Sequence, residues 1–219
     1  MTKQRFLTVS GTGSLSLKPD TIIINCDLAN QAANYAACMQ TATEQTVQCK
    51  SALLSAGVNG ANIKTDSFQI SVHYAAQQNE NGLSQNVPDG YVCRHTLRIR
   101  LTCNLALLGN VISALSECPA APEFRICFTV ENKTAAKAAL LEAAVTNARA
   151  SAETIAKASG LRLGEIFSID YTPQDLDFSS PTQYHMPRLM SAKASAPDIM
   201  PQDVTLRESV TISWQILNA

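Results

Sequence analysis

Residues two apart on a strand share a face, so Cys93-x-His95, with His73 on a neighbouring strand, brings together side chains that can hold a metal or activate a thiol. The register argues against that use. Tyr91, Cys93, Leu97, Ile99 and Leu101 put the apolar residues of one strand on odd numbers, while Phe68, Ile70, Val72 and Tyr74 put those of its partner on even ones. Pairing apolar with apolar sends His73 to the face opposite His95, and a slip of one residue exposes the whole apolar set. Cys93 and His95 are then expected in the core, with His95 needing a hydrogen-bond partner.

The other face of the same strand carries Arg94, Arg98 and Arg100, a positive stripe able to hold an acidic partner or an anion, or simply a solvated outer face. Gly11-x-Gly13 lacks the third glycine and the following helix of a dinucleotide loop, and glycines within a strand mark a bulge or a close backbone approach instead. Asp175-x-Asp177 has no histidine pattern beside it, and no nucleophile-elbow, zincin or P-loop signature occurs. These readings predict no enzyme, no cofactor and no metal. The seven cysteines (Cys26, Cys38, Cys49, Cys93, Cys103, Cys118 and Cys127) are odd in number and form no C-x-x-C pair, so they read as reduced, buried thiols. The alternative, a thiol-based redox sensor or enzyme, requires one of them to be exposed with a lowered pKa.

The elements that must position these side chains follow from periodicity. Alternating segments at 6–17 and 21–28, joined by Lys18-Pro19-Asp20, predict a β-hairpin. A helix is expected from Asn30 to about Ala56, with Ala32, Ala36, Met39, Thr43, Val47 and Leu54 on one face and Gly57 as its stop. Residues 63–76 and 90–103 read as a second, long hairpin. Asn104 caps a short helix carrying Leu108, Val111, Ile112 and Leu115, and Phe124, Ile126, Phe128 and Val130 form the next strand. The alanine-rich segment 132–160 predicts a helix with Leu141, Val145, Ala148, Ala152 and Ile155 on one stripe. Strands at 166–171 and 204–216 close an α+β fold. Its expected form is a mixed or antiparallel sheet of long strands packed with three helices, in the order ββαββαβαββ, as one domain over 1–219.

Residues 172–202 interrupt this pattern. They hold five of the nine prolines and, as Met186, Met190 and Met200, three of the five methionines, so they read as a loop that is either an idle excursion or a contact arm for a neighbouring subunit. With 219 residues, 46% of them apolar, the chain can bury a sizeable core. Seventeen basic against eighteen acidic residues provide no field to draw nucleic acid or an anionic membrane. No run approaches the ~20 apolar residues of a spanning helix, and the start has no room for a signal peptide's apolar stretch of about 7–15 residues. A cytoplasmic setting, without membrane insertion, is the expectation.

The punctuation of the chain resembles a known family. The opening Val9-Ser-Gly-Thr-Gly-Ser-Leu-Ser-Leu-Lys-Pro-Asp20, then Asn62-Ile-Lys-Thr-Asp-Ser-Phe68 running to His73-Tyr74, and Gly90-Tyr91 are similar in order and spacing to the SIMPL-domain family. The helix Ala143-Ala-Val-Thr-Asn-Ala-Arg-Ala-Ser-Ala-Glu153, continuing to Ala158-Ser-Gly-Leu-Arg-Leu-Gly164, extends the resemblance over nearly the whole chain. The resemblance implies a mixed α+β fold, no cofactor, no catalytic residues to carry over, and self-assembly as a homo-oligomer. The family includes bacterial proteins of poorly defined function, some periplasmic and linked to oxidative stress, and one that forms a large ring. Cys118-Pro119-Ala-Ala-Pro122 departs from the small, glycine-bearing turn expected at that point.

Overall fold

The computed structural model describes residues 5–78, 84–186 and 199–218. Within them the chain forms β1 (Phe6–Leu17), β2 (Thr21–Ala32), α1 (Tyr35–Ser55), β3 (Ile63–Gln78), β4 (Ser84–Thr102), α2 (Leu105–Ser116), β5 (Glu123–Thr129), α3 (Lys133–Ala158), β6 (Leu161–Asp170), β7 (Ser179–Met186) and β8 (Val204–Asn218). The α+β class, the three helices and the antiparallel pairing agree with the expectation. The strands divide between two sheets, ordered β1-β8-β6 and β3-β4-β2-β5-β7. The elements gather into two compact units.

In the three-stranded unit β8 is central. It runs antiparallel to β1 from Phe6↔Gln215 to Leu17↔Val204 and antiparallel to β6 on its other side. Helix α3 packs against this sheet, burying Leu140, Ala144, Ala148 and Ala152 against Val210, Ile212 and Trp214 of β8 and their neighbours. The stripe is alanine because of Gly11 and Gly13. A Cβ on Gly11 would run into the Ala144 carbonyl and one on Gly13 into that of Leu140, so the strand and helix backbones touch with nothing between them. The close approach expected of these glycines is present. The stripe is shifted from the expected one, which included Val145 and Ile155; both are exposed. At such a short separation small side chains fit the interface and larger ones turn outward.

In the five-stranded unit the even residues of β2 (Ile22, Ile24, Cys26, Leu28), the odd residues of β4 (Leu97, Ile99, Leu101) and Phe124, Ile126 and Phe128 of β5 face α1 and α2. Helix α2 buries Leu108, Val111, Ile112 and Leu115 as predicted, and the Asn104 side chain caps it by accepting from the Leu107 N–H. Helix α1 differs. It starts at Tyr35, capped by Asn34, and buries Cys38, Ala42, Cys49 and Leu53, while Val47 and Leu54 are exposed. The two cysteines carry the phase of the buried stripe, a signal that reading Val47 and Leu54 as the apolar guide misses.

Two further expectations are corrected. The segments 6–17 and 21–28 are not a hairpin: β1 pairs with β8, and β2 with β4. Alternation says that one face of a strand is buried, and a proline turn says that the chain bends; neither names the partner strand. The interruption at 172–202 is not structureless, because residues 179–186 form β7 at the edge of the five-stranded sheet. Its burial alternates, from Ser180 to Met186, under the noise of its polar residues and Pro181.

Candidate functional site

His95, 7% exposed, is held from both sides. Its Nδ1 lies 2.9 Å from Thr46 Oγ1 on α1, and its Nε2 lies 3.0 Å from Thr65 Oγ1 on β3. The Thr46 hydroxyl donates its proton to the Ala42 carbonyl at 2.7 Å, so it accepts from Nδ1–H, and the bare Nε2 accepts from Thr65. That network fixes one neutral tautomer. The Phe68 ring meets the imidazole edge-on at 5.1 Å, and Phe68 pairs directly with His95 across the strands, as the apolar register requires. Burial, reinforced by the Lys50 charge, pushes the His95 pKa down. Cys93 is buried beside Cys38 and Ala42, and burial pushes its thiol up. His73 stands elsewhere, its Nδ1 3.1 Å from Gln31 Nε2 and 3.6 Å from Asp89 Oδ2. The three side chains that opened the question form no common site.

The face of the five-stranded sheet away from α1 and α2 is polar. Arg94, Arg98 and Arg100 are all exposed on β4, opposite Ala29, Asn25 and Ile23 of β2. Arg125 of β5 extends the stripe sideways, its Nη2 3.3 Å from Asp27 Oδ2, while Thr96 donates to the other Asp27 oxygen at 2.7 Å. Arg98 sits 3.8 Å from Asp66, both half exposed. Such a surface pair contributes ~0–1 kcal/mol. Arg94 lines a cleft of about 370 Å³ with Asp27, Thr96, Ala121 and Glu123. A second cleft, of about 250 Å³, lies between β5 and β7 and is lined by Asn25, Arg125, Cys127, Gln183, Tyr184 and His185.

Edge strand β6 shows another kind of surface. Ile166, Phe167 and Ile169 are 53%, 66% and 56% exposed, and the Phe6 ring lies 4.4 Å from that of Phe167. Two of the three methionines expected to form an assembly arm lie among the described residues. Met186 is buried in the core of the five-stranded unit, where Ser116 Oγ approaches its sulfur at 3.5 Å. It belongs to β7, where it occupies the buried parity together with Ser180 and Tyr184. Met200 is 79% exposed, and Met190 lies outside the described residues.

Comparison with known proteins places this geometry. Residues 7–214 match a family model described as SIMPL, protein of unknown function (DUF541). The chain belongs to the SIMPL family. Two relatives, each named 26 kDa periplasmic immunogenic protein, from Brucella melitensis biotype 1 and Brucella abortus (strain S19), are each 25% identical over 163 residues. The match covers 74% of this chain and spans 65% of the length of either relative. Their names place those two proteins in the periplasm, which overturns the cytoplasmic expectation. That expectation came from reading the opening residues as too polar for a signal peptide, and the cysteines add nothing to it, since Cys26, Cys38, Cys49, Cys93 and Cys118 are simply buried, which says nothing of compartment. Among the described residues no helix is long and apolar enough to cross a membrane.

In this SIMPL chain, sequence reasoning located Arg94, Arg98 and Arg100 but missed Arg125 and Asp27, which join them only because β2 separates β4 from β5. The outward parity of Arg125 within Phe124-Arg125-Ile126 was legible; the strand order was not. The β6 surface was missed because its apolar residues fall on both parities, which defeats a search for alternation.

Proposed function

We propose that this SIMPL-family protein is a binding protein without a catalytic centre, set in the periplasm as its relatives' names indicate, which assembles with copies of itself through β6. The observation that carries this reading is the terminal position of β6 in its sheet combined with the exposure of Ile166, Phe167 and Ile169. An edge strand presents unpaired backbone groups, and one that also exposes large apolar side chains needs a cover. The absence of a catalytic role is supported by His95, whose two ring nitrogens are taken up by threonine hydroxyls, and by the burial of five of the seven thiols. Light scattering across micromolar concentrations tests the assembly. Wild-type protein is expected above monomer mass, and Phe167→Asp with Ile169→Lys is expected to return it to monomer with an unchanged circular dichroism spectrum. A wild-type monomer at every concentration overturns the reading.

A second reading is favoured by the gathering of Arg94, Arg98, Arg100 and Arg125 on the helix-free face. It makes that face a dock for an acidic peptide. Titration with a polyglutamate peptide at low salt is expected to show binding that weakens with ionic strength and is lost in the Arg94→Glu, Arg98→Glu double variant. Binding unchanged by the double variant removes the stripe from consideration.

A further inference from the structure

Several charges on the helix-free face of the five-stranded sheet are already engaged. Arg125 pairs with Asp27, whose other oxygen accepts from Thr96, and Arg98 stands 3.8 Å from Asp66. Two charges of opposite sign are not. Arg94 of β4 and Glu123 of β5 are both exposed, and among the described residues neither makes an ion pair or a side-chain hydrogen bond. Both line the cleft of about 370 Å³.

That they share a cleft without meeting follows from the strand order. Strand β2 runs between β4 and β5. The backbones that carry Arg94 and Glu123 are therefore two strand spacings apart, about 10 Å at ~4.8 Å per spacing. The β2 residue directly opposite Arg94 is Ala29, which also lines the cleft. A longer side chain there would fill the space over β2; a methyl group leaves it open. Ala121 lines the cleft as well, with a φ of +44° in the left-handed region that favours glycine, and its N–H donates to the Cys118 carbonyl at 2.9 Å. A backbone held in that region by its surroundings is a feature that gathers at binding sites.

We propose that this cleft binds a small zwitterion, a free α-amino acid, with its carboxylate on the Arg94 guanidinium and its ammonium on the Glu123 carboxylate. A simple anion gains Arg94 but is opposed by Glu123, and a simple cation meets the reverse. A molecule that carries both charges a short distance apart satisfies both groups, and the guanidinium fork suits a carboxylate in particular. The volume lies near the lower end of the ~300–1,000 Å³ of small-molecule sites, which fits an amino acid better than a longer peptide. Asp27 and Thr96 are hydrogen-bonded to one another, so recognition falls to one guanidinium and one carboxylate. The site does not depend on assembly through β6. It is also separable from the acidic-peptide dock, because Glu123 opposes polyglutamate.

The test is calorimetric titration of the full chain with each of the standard α-amino acids, at concentrations up to about 10 mM. At least one is expected to bind with one-to-one stoichiometry. Its N-acetyl derivative, which lacks the ammonium, and its α-carboxamide, which lacks the carboxylate, are each expected to bind at least about tenfold more weakly. Arg94→Gln and Glu123→Gln are each expected to weaken the amino acid to the same degree, and since both side chains are exposed the variants are expected to keep the wild-type circular dichroism spectrum. Glu123→Gln is expected to leave polyglutamate binding intact or strengthen it, which separates this cleft from the arginine stripe. Absence of binding by every amino acid overturns the proposal. So does binding that survives either substitution or tolerates the loss of either charge.

Discussion

His95 is neutral for a structural reason, and that has a consequence for stability. Its pKa in the fold is pushed below the unfolded value of about 6.5. The unfolded chain therefore takes up a proton on this side chain before the folded one does. The contribution is fully present above about pH 6.5 and is lost as pH falls below it, towards the depressed folded value. Denaturant titrations at stepped pH are expected to show this loss, and His95→Gln is expected to flatten the slope in that window. A slope unchanged by the substitution would assign it to other groups. Thiol reactivity divides on the same principle of burial. Cys103 and Cys127, the two half-buried cysteines, are expected to react with a maleimide in the native protein, and the other five only on unfolding. Rapid native labelling of Cys26 would contradict the structure. At this scale the sequence was informative about which face a residue occupies, as with His95 and Cys93. It was silent about Thr46 and Thr65, because the partners of a buried polar group come from elements far away in the chain. Met186 misled for the converse reason, since a methionine among prolines looks like a loop residue whichever way its backbone is paired.

At the scale of elements, the contact between β1 and α3 is the most demanding. Gly13→Ala is expected to destabilise the protein by about 3 kcal/mol or more, since the added carbon meets helix backbone that has nowhere to move. Gly60→Ala makes the contrast: its Cβ would find the Leu54 side chain at an ordinary 3.5 Å, and a change within about 0.5 kcal/mol is expected. Equilibrium unfolding of both variants checks the pair; equal losses would mean that the strand and helix are not in backbone contact. Asn132→Ala, which removes the side chain that accepts from the Ala135 N–H at the start of α3, is expected to cost about 1 kcal/mol in the same assay. The type and extent of α2, α3, β5 and the long β3–β4 hairpin were legible because their periodicity is local. The partner of β1 was not. A strand flanked by a tight turn gives the same signal whether it pairs with the next strand or with one far along the chain, and only the tertiary contact at Gly11 and Gly13 decides the matter.

At the scale of the molecule, the strand orders β1-β8-β6 and β3-β4-β2-β5-β7 were beyond the reach of periodicity, and with them the company that Arg125 and Asp27 keep with the β4 arginines. What was legible as a whole was the spacing of turns and glycines that marks a SIMPL chain. The cytoplasmic expectation, drawn from the polar opening residues, is the reading that the relatives' names overturn. The register of β1 against β8 carries a consequence for how the protein is made. The first described strand to leave the ribosome pairs along its whole length with the last, from Phe6↔Gln215 to Leu17↔Val204. Until β8 is made, β1 has no strand partner, and the three-stranded sheet cannot close before Val204–Asn218 has been translated. The five-stranded unit holds most of its strands in a continuous stretch and can begin to fold much earlier. A ribosome stalled before Val204 would thus carry a chain whose second half of folding has not begun.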